Sequence, residues 1–350
     1  MLNKFITFMP SISQKQRNSS IELYRIIATF TVLIVHFNGW FVGGMRGFDF
    51  HHPTLSGAGQ MIIEALTCIC VNMFLIISGY FGIRLKLTSV LRLCLLLAFI
   101  NVPFYIVEVL VGGAFSIKSL LGCFFVISRS GYFIQGYLML MFFSPVLNAF
   151  IEKHGRQILP WTLCFVVIEF WFETVRGIEN FGFNKGYSII HFVLMYMIAR
   201  CIALNKEKLL TLPMKCYVLG YMFCTIIICF MYVGGLECSF AYSNPIVIVS
   251  SICSFVPFMY RDWHNRLVNW VAGGTLAVYI VQVREPAYSL LVKLDNYFLN
   301  NYSYFHYLLL CGMVILLTFV FCVAYQKACE KIVNPVIEKL PNSIKAIELR

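Results

Sequence analysis

The sequence contains little charge for its length. Asp, Glu, Lys and Arg make up 12% of the 350 residues, hydrophobic residues make up 60%, and the mean hydropathy is +0.79. Soluble globular domains carry roughly twice that charged fraction, so this composition excludes that class. The apolar runs also lack the period-two alternation of outer-membrane strands, which favours membrane-spanning helices.

The chain has 14 cysteines, but they do not follow the spacing that is typical of a metal site or of a disulfide framework. Most of them lie inside apolar runs, and only one residue separates Cys68 from Cys70, so no Cys-x-x-Cys pair forms there. We therefore predict free cysteines that pack among helices, and no metal. Residues 1–20 lack a cleavage-like site and are expected to form a cytoplasmic lead.

Apolar runs long enough to cross a bilayer follow one another from residue 21 to residue 326. About ten can be counted, at 21–41, 58–80, 89–111, 132–151, 158–174, 186–204, 213–234, 239–260, 267–291 and 305–326. The sequence therefore predicts an all-α, polytopic membrane protein with one transmembrane domain at 21–326 and a tail at 327–350.

An even number of spans places both termini on the same side of the membrane. Most of the 27 Lys and Arg residues then fall on that side, which the positive-inside rule assigns to the cytoplasm. The net charge of +11 is thus explained by Lys and Arg in cytoplasmic loops, and it does not require a nucleic-acid partner. We expect a multi-pass protein of the cell inner membrane with cytoplasmic termini.

The first apolar run, Ile21 through Phe41, contains three side chains that bilayer hydrocarbon penalises: Glu22, Arg25 and His36. Arg25 and His36 are eleven positions apart, so at about 100° per residue they share one helix face, roughly 16 Å apart along the axis. Glu22 precedes Arg25 by one turn on approximately the same face. This pattern predicts a polar cavity, open to the cytoplasm, that contains a cation near the membrane surface and a deeper imidazole.

Other interpretations of these side chains stay open. Arg25 also fits an arginine that anchors the helix end at the membrane surface, and His36 also fits a polar contact between helices. A transporter or flippase of a lipid-linked or anionic substrate would need charges in a cavity as well. Such proteins typically carry paired broken helices in their two halves, and no such pair is evident in the sequence.

The pattern in the first run resembles the first helix of the membrane acyltransferase-3 family. It consists of Glu22, Arg25, Ala28, Val32 and His36. The stretch from Met73 to Tyr80, with Ser78-Gly79-Tyr80 at its end, resembles the segment that ends the second helix of that family. Weaker similarities lie at Gly131-Tyr132-Phe133, at Ser144-Pro145 and from Thr275 to Gln282.

This resemblance implies a membrane O-acyltransferase that uses acetyl-CoA, or another acyl-CoA, as donor. The implied acceptor is a hydroxyl of a surface-polysaccharide or lipid-linked sugar. His36 would be the general base, since imidazole titrates near neutrality. Arg25 would be a catalytic and donor-binding cation, and Arg84, Lys86 and Arg92 would bind the donor phosphates. The family often has two closely spaced arginines where this chain has Arg92 alone.

Five side chains are expected to line or support the cavity: Glu22, Ser78, Tyr80, His191 and Gln282. Gln282 stands where the family often has histidine, and an amide binds a hydroxyl but cannot accept its proton.

A further pair of polar residues, Glu64 and Asn72, lies in the second apolar run. The two residues are eight positions apart and are predicted to share a helix face.

Overall fold

The computed structural model describes residues 17–45, 47–124, 131–174 and 182–349. Most of the predicted lead, residues 1–16, and the terminal Arg350 lie outside the described residues. The described chain is mostly helical, as the long apolar runs predict.

In the first half of the described chain, the first helix ends in a π-helical turn. The helices and turns of this half are α1 (Ser19–Val35), the π-helical turn (His36–Trp40), α2 (Leu55–Thr67), α3 (Cys70–Phe81), α4 (Leu87–Leu110), α5 (Ile117–Phe124), α6 (Gly131–His154), a 3₁₀ turn (Gly155–Gln157) and α7 (Ile158–Thr174). A short strand, β1 (Leu85–Lys86), precedes α4.

The second half contains shorter helices and ends in one long helix. These are α8 (Ile189–Leu204), α9 (Lys206–Leu209), α10 (Met214–Val233), α11 (Pro245–Phe255), a 3₁₀ turn (Val256–Met259), α12 (Arg266–Ala272), α13 (Leu276–Val281), α14 (Ala287–Asn301), α15 (Tyr304–Glu338) and α16 (Asn342–Lys345). The last strand, β2 (Glu348–Leu349), pairs antiparallel with β1, so the end of the chain lies beside the loop after α3.

Six helical segments of the described chain are long and apolar enough to cross a membrane, by length and composition. They are Ser19–Trp40, Leu55–Phe81, Leu87–Leu110, Gly131–Thr174, Met214–Val233 and Tyr304–Glu338. Three shorter apolar segments accompany them, at Ile189–Leu204, Pro245–Met259 and Arg266–Val281. The chain is thus an all-α protein of the multi-pass membrane type, and the count of ten spans stays a prediction.

The buried core consists of two clusters of apolar side chains, and α1 contributes to both. Ala28 and Val32 pack into the first cluster, which is built mainly on α3, α8 and α11. Leu33 and Phe37 pack into the second cluster, built mainly on α4, α13 and α15. Therefore α1 lies along the boundary of the two clusters.

A two-residue turn at Cys68 and Ile69 separates α2 from α3. The turn interrupts the regular helix between Glu64 and Asn72, and their common face stays a prediction.

The Ser-Gly-Tyr motif at the end of α3 lies where that helix packs closely on α8. A Cβ atom at Gly79 would stand 2.5 Å from the Ala199 Cβ and 2.8 Å from the Tyr196 carbonyl oxygen. The missing side chain thus permits the close approach of the two helices. Gly82 follows with a φ of +76°, a conformation that favours glycine, and the Arg200 guanidinium approaches the last carbonyl groups of α3.

Candidate active site

Helix α1 positions the two polar side chains that the sequence singles out. Asn18 caps its first turn by accepting from the Ser20 N–H at 2.8 Å. The helix is regular through Val35, and the wider π turn begins only at His36. The eleven-residue register from Arg25 to His36 is therefore that of an ordinary α-helix.

Arg25 lines a cavity of about 290 Å³, here called the Arg25 cavity. Its walls are mostly apolar, and its polar lining comes from Arg25, Ser78, Tyr137, Thr275 and Tyr279. Arg25 is the only cation among the described residues of that lining. Its Nη1 atom lies 3.5 Å from the Glu22 Oε2 atom, and its side chain keeps 30% exposure.

His36 lines a second and larger space of about 850 Å³, here called the His36 cavity. This volume lies in the range of small-molecule binding sites. Five of its described lining residues are Trp or Tyr, and Glu64 is the only carboxyl group among them. The aromatic residues are Trp40, Tyr132, Tyr187, Tyr242 and Tyr279.

The two cavities have three lining residues in common: Val32, Val71 and Tyr279. The sequence predicts one cavity for Arg25 and His36. The structure instead has two spaces that meet at these three side chains, with Arg25 in one and His36 in the other. Both side chains do lie on the same side of α1, as the helical spacing predicts.

His36 has a defined hydrogen-bond partner in Gln282. The His36 Nδ1 atom and the Gln282 Oε1 atom are 3.0 Å apart, and Gln282 is fully buried. An amide oxygen only accepts, so this contact requires the ring proton on Nδ1. The Nε2 atom of the neutral ring then carries the lone pair, which is the state that a general base needs.

The role of Gln282 is one that sequence reasoning missed. Its side chain contacts the His36 imidazole and so orients that ring. No local pattern signals this, because Gln282 follows His36 by 246 positions and the contact depends on the packing of the helices. Edge-on contacts with Trp40 and Phe41, at 4.6 and 5.7 Å between ring centroids, further fix the imidazole plane.

The π turn at His36–Trp40 is held by a reciprocal contact with α2. The Asn38 amide donates to the Gln60 carbonyl oxygen at 2.9 Å, and the Gln60 amide donates to the Asn38 carbonyl oxygen at 2.9 Å. A π turn shifts the helical pairing by one residue, here with the Phe41 N–H bonded to the His36 carbonyl oxygen at 2.8 Å. Single π turns inside α-helices often mark functional sites.

The three basic residues expected to bind donor phosphates follow α3, and they differ in their surroundings. Arg84 is exposed. Lys86 Nζ lies 3.0 Å from Glu348 Oε2, and Arg92 Nη2 lies 4.0 Å from Glu330 Oε1. None of the three belongs to the described lining of the Arg25 cavity, although Leu93, next to Arg92, does.

Ser78 and Tyr80, at the end of α3, have different surroundings. Ser78 lines the Arg25 cavity and donates to the Phe74 carbonyl oxygen of its own helix at 2.9 Å. The Tyr80 ring instead packs edge-on against Phe81 and Phe255, with centroids 5.3 and 5.2 Å away. Tyr80 does not belong to the described lining of either cavity.

His191 is fully buried and lies between a carboxylate and an amide. Its Nδ1 atom is 3.1 Å from Glu169 Oε2, and its Nε2 atom is 2.9 Å from Asn72 Oδ1. The Asn72 amide group donates to the Tyr242 carbonyl oxygen at 2.9 Å. His191 itself does not belong to the described lining of either cavity, but this chain of contacts connects it to Tyr242, which lines the His36 cavity.

One comparison with known proteins gives a match. The model of the acyltransferase-3 family, described as an acyltransferase domain, matches residues 18–326. No curated protein and no solved structure matches the chain. The matched region begins just before α1 and includes Arg25, His36, Glu64 and Gln282.

Proposed function

The chain belongs to the acyltransferase-3 family and is an acyltransferase, and from this premise we propose that it transfers an acetyl group from acetyl-CoA to a sugar hydroxyl. The acceptor is a surface polysaccharide or a lipid-linked sugar. Family membership assigns the chain to membrane acyltransferases and not to the transporters that the sequence left open.

One observation supports this proposal above the others: two cavities meet at Val32, Val71 and Tyr279, one containing Arg25 and the other containing His36. In this scheme the donor occupies the Arg25 cavity and the acceptor occupies the His36 cavity. The acyl group crosses between them, so the two substrates need not enter from the same side of the membrane.

The chemistry requires one proton acceptor beside the sugar hydroxyl. The hydroxyl oxygen bonds to the thioester carbonyl carbon while its proton passes to His36 Nε2. The bond between carbon and sulfur then breaks, and the CoA thiolate leaves and recovers a proton as the thiol. Gln282 holds the proton on Nδ1 and so keeps Nε2 available as the base.

Arg25 is the proposed cation for the donor. Its guanidinium binds phosphate or the thioester oxygen through paired N–H groups. Arg84, Lys86 and Arg92 are proposed to bind the remaining phosphates of CoA. Lys86 and Arg92 now lie beside carboxylates, and a diphosphate would compete with those carboxylates for the same cations.

For cytosolic acetyl-CoA to reach these cations, the loop after α3 must face the cytoplasm. We therefore propose that the protein resides in the cell inner membrane with both termini cytoplasmic. The excess of Lys and Arg on that side supports this orientation.

The decisive experiment measures release of free CoA by the purified protein in lipid nanodiscs. Wild-type protein is expected to consume acetyl-CoA and to transfer the acetyl group to added cell-surface glycan. His36→Ala is expected to lose transfer, and His306→Ala is the matched control because His306 is exposed on α15 and belongs to neither described lining. Wild-type protein that releases no CoA in the presence of glycan would contradict the proposed donor.

A further inference from the structure

A second polar group lies in the His36 cavity and has no part in the chemistry described above. Glu64, on α2, lines this cavity and is half-buried. The Asn38 amide donates to its Oε2 atom at 2.8 Å. Within the described part of the chain, the Oε1 atom of Glu64 has no hydrogen-bond partner.

The position of Glu64 is tied to that of His36. Asn38 lies two residues after His36 in the same π turn, and the reciprocal contact of Asn38 with Gln60 fixes that turn against α2. Gln60 is one turn before Glu64 on α2. The carboxyl group and the imidazole are thus held by one set of contacts, which is the arrangement of a pre-organised binding site.

The rest of the cavity surface restricts what such a carboxyl group would bind. None of its described lining residues is Lys or Arg, and five are Trp or Tyr. Among the described lining residues, a phosphate or carboxylate ligand would find no cation and would face Glu64. An uncharged sugar ring fits instead, because its C–H face packs on aromatic rings and its hydroxyls donate to carboxylates.

We propose that Glu64 is an acceptor-binding residue, whose Oε1 atom accepts a hydrogen bond from a hydroxyl next to the one that is acylated. The acceptor is accordingly an uncharged sugar ring with neighbouring hydroxyls, bound by His36 at one hydroxyl and by Glu64 at the next. This inference rests on the proposed function, since it assigns the His36 cavity to the acceptor.

The test is a binding measurement that needs no donor and no turnover. The probes are methyl glycosides of neutral hexoses, with glucose 6-phosphate as the charged comparison, titrated into the purified full chain in nanodiscs. Trp40 lines the cavity, so its fluorescence reports occupancy. We expect saturable binding of at least one neutral glycoside and none of the phosphate.

Glu64→Gln is expected to weaken that binding about tenfold, because it places an amide NH2 group, which cannot accept a hydrogen bond, where Oε1 accepts from the sugar hydroxyl. The carbonyl oxygen of the introduced amide can still accept from Asn38, so the fold should be preserved. Glu237→Gln is the control, since Glu237 is exposed and outside the described lining. If Glu64→Gln lowers the melting temperature, Glu64→Asp replaces it and should bind at least about threefold more weakly than wild type.

Unchanged glycoside affinity in the Glu64 variant would overturn the assignment of Glu64. Absence of neutral-sugar binding to the wild type, or equal binding of the phosphate, would overturn the proposed ligand class. Neither result depends on acetyl-CoA. A wild-type protein that binds the glycoside but releases no CoA would instead contradict the proposed function and leave the Glu64 site standing.

Discussion

Replacement of His36 by Gln separates a catalytic base from a structural contact. In the structure the His36 Nδ1–H group donates to Gln282 Oε1 at 3.0 Å. A Gln side chain at position 36 has an N–H group that can donate to the same oxygen. It also keeps the polarity of the site and most of its volume, but it has no nitrogen that accepts a proton.

The expected magnitudes differ enough to decide between the two roles. A positioned imidazole base contributes about 10² to 10⁴ in rate, which corresponds to about 3 to 5 kcal/mol of transition-state stabilisation. Loss of one hydrogen bond costs about 0.5 to 1.5 kcal/mol, and His36→Gln retains that bond. A structural His36 therefore predicts near-normal activity, whereas a catalytic His36 predicts at least a hundredfold loss.

The assay is incorporation of labelled acetyl groups into the cell-surface glycan, with protein levels in the membrane measured by blotting. His306→Gln, on the exposed start of α15, is the matched control. Near-normal acetylation by His36→Gln at wild-type protein levels would refute the assignment of His36 as the base.

Gln282→Met extends the same reasoning to the group that orients His36. It removes the acceptor for Nδ1–H and keeps an uncharged side chain of similar length, so both ring tautomers become available. Loss of the free energy of one hydrogen bond should lower kcat roughly threefold to tenfold. The KM for the donor should not change. Gln157→Met, at an exposed glutamine, is the control. Unchanged kcat would show that Gln282 does not orient His36.

Three further predictions concern the donor site, the orientation and the pH dependence of stability. In steady-state kinetics, Arg84→Ala and Arg92→Ala should raise the KM for acetyl-CoA more than they lower kcat, because phosphate contacts are made equally in the ground and transition states. A constant KM for the donor with a lower kcat in Arg92→Ala would contradict this assignment. Arg25→Lys should lower kcat/KM, since it loses the paired N–H groups. A reporter enzyme fused after Arg350 should behave as cytosolic, and a periplasmic signal would overturn the ten-span prediction. Burial raises the pKa of Asp295, on α14, from 3.8 to about 7, although hydrogen bonds from Tyr307 and Cys311 oppose this shift. Folding thus favours the neutral acid, so the stability that Asp295 contributes is complete below about pH 4 and is lost as the pH rises through about 7. The melting temperature should therefore fall over that range in the wild type and fall less in Asp295→Asn.

Several properties of the fold follow from local patterns. The apolar runs predict membrane-type helices, because each run must satisfy its own backbone hydrogen bonds in hydrocarbon. The eleven-residue spacing of Arg25 and His36 predicts their common side of α1, because helical periodicity operates within one segment. By contrast, no local pattern predicts the turn at Cys68 and Ile69 that lies between Glu64 and Asn72.

The candidate site depends on contacts that no local pattern contains. Gln282 orients His36 across 246 positions, and His191 contacts Asn72, which precedes it by 119 positions. Lys86 pairs with Glu348 because β1 and β2 are adjacent in the fold. These partners are set by the packing of distant helices, and one sequence does not specify which polar residues that packing brings together.

The sequence by itself determined that this is a helical membrane protein with Arg25 and His36 on one helix, because hydropathy and helical spacing act over a few tens of residues. The acyltransferase assignment came from the resemblance of its motifs to those of the family. Only the tertiary structure decided that these side chains face two adjoining cavities, that Gln282 fixes the imidazole and that Glu64 enters the His36 cavity. Those features arise where α1 meets both core clusters, and such a boundary exists only once the helices have packed.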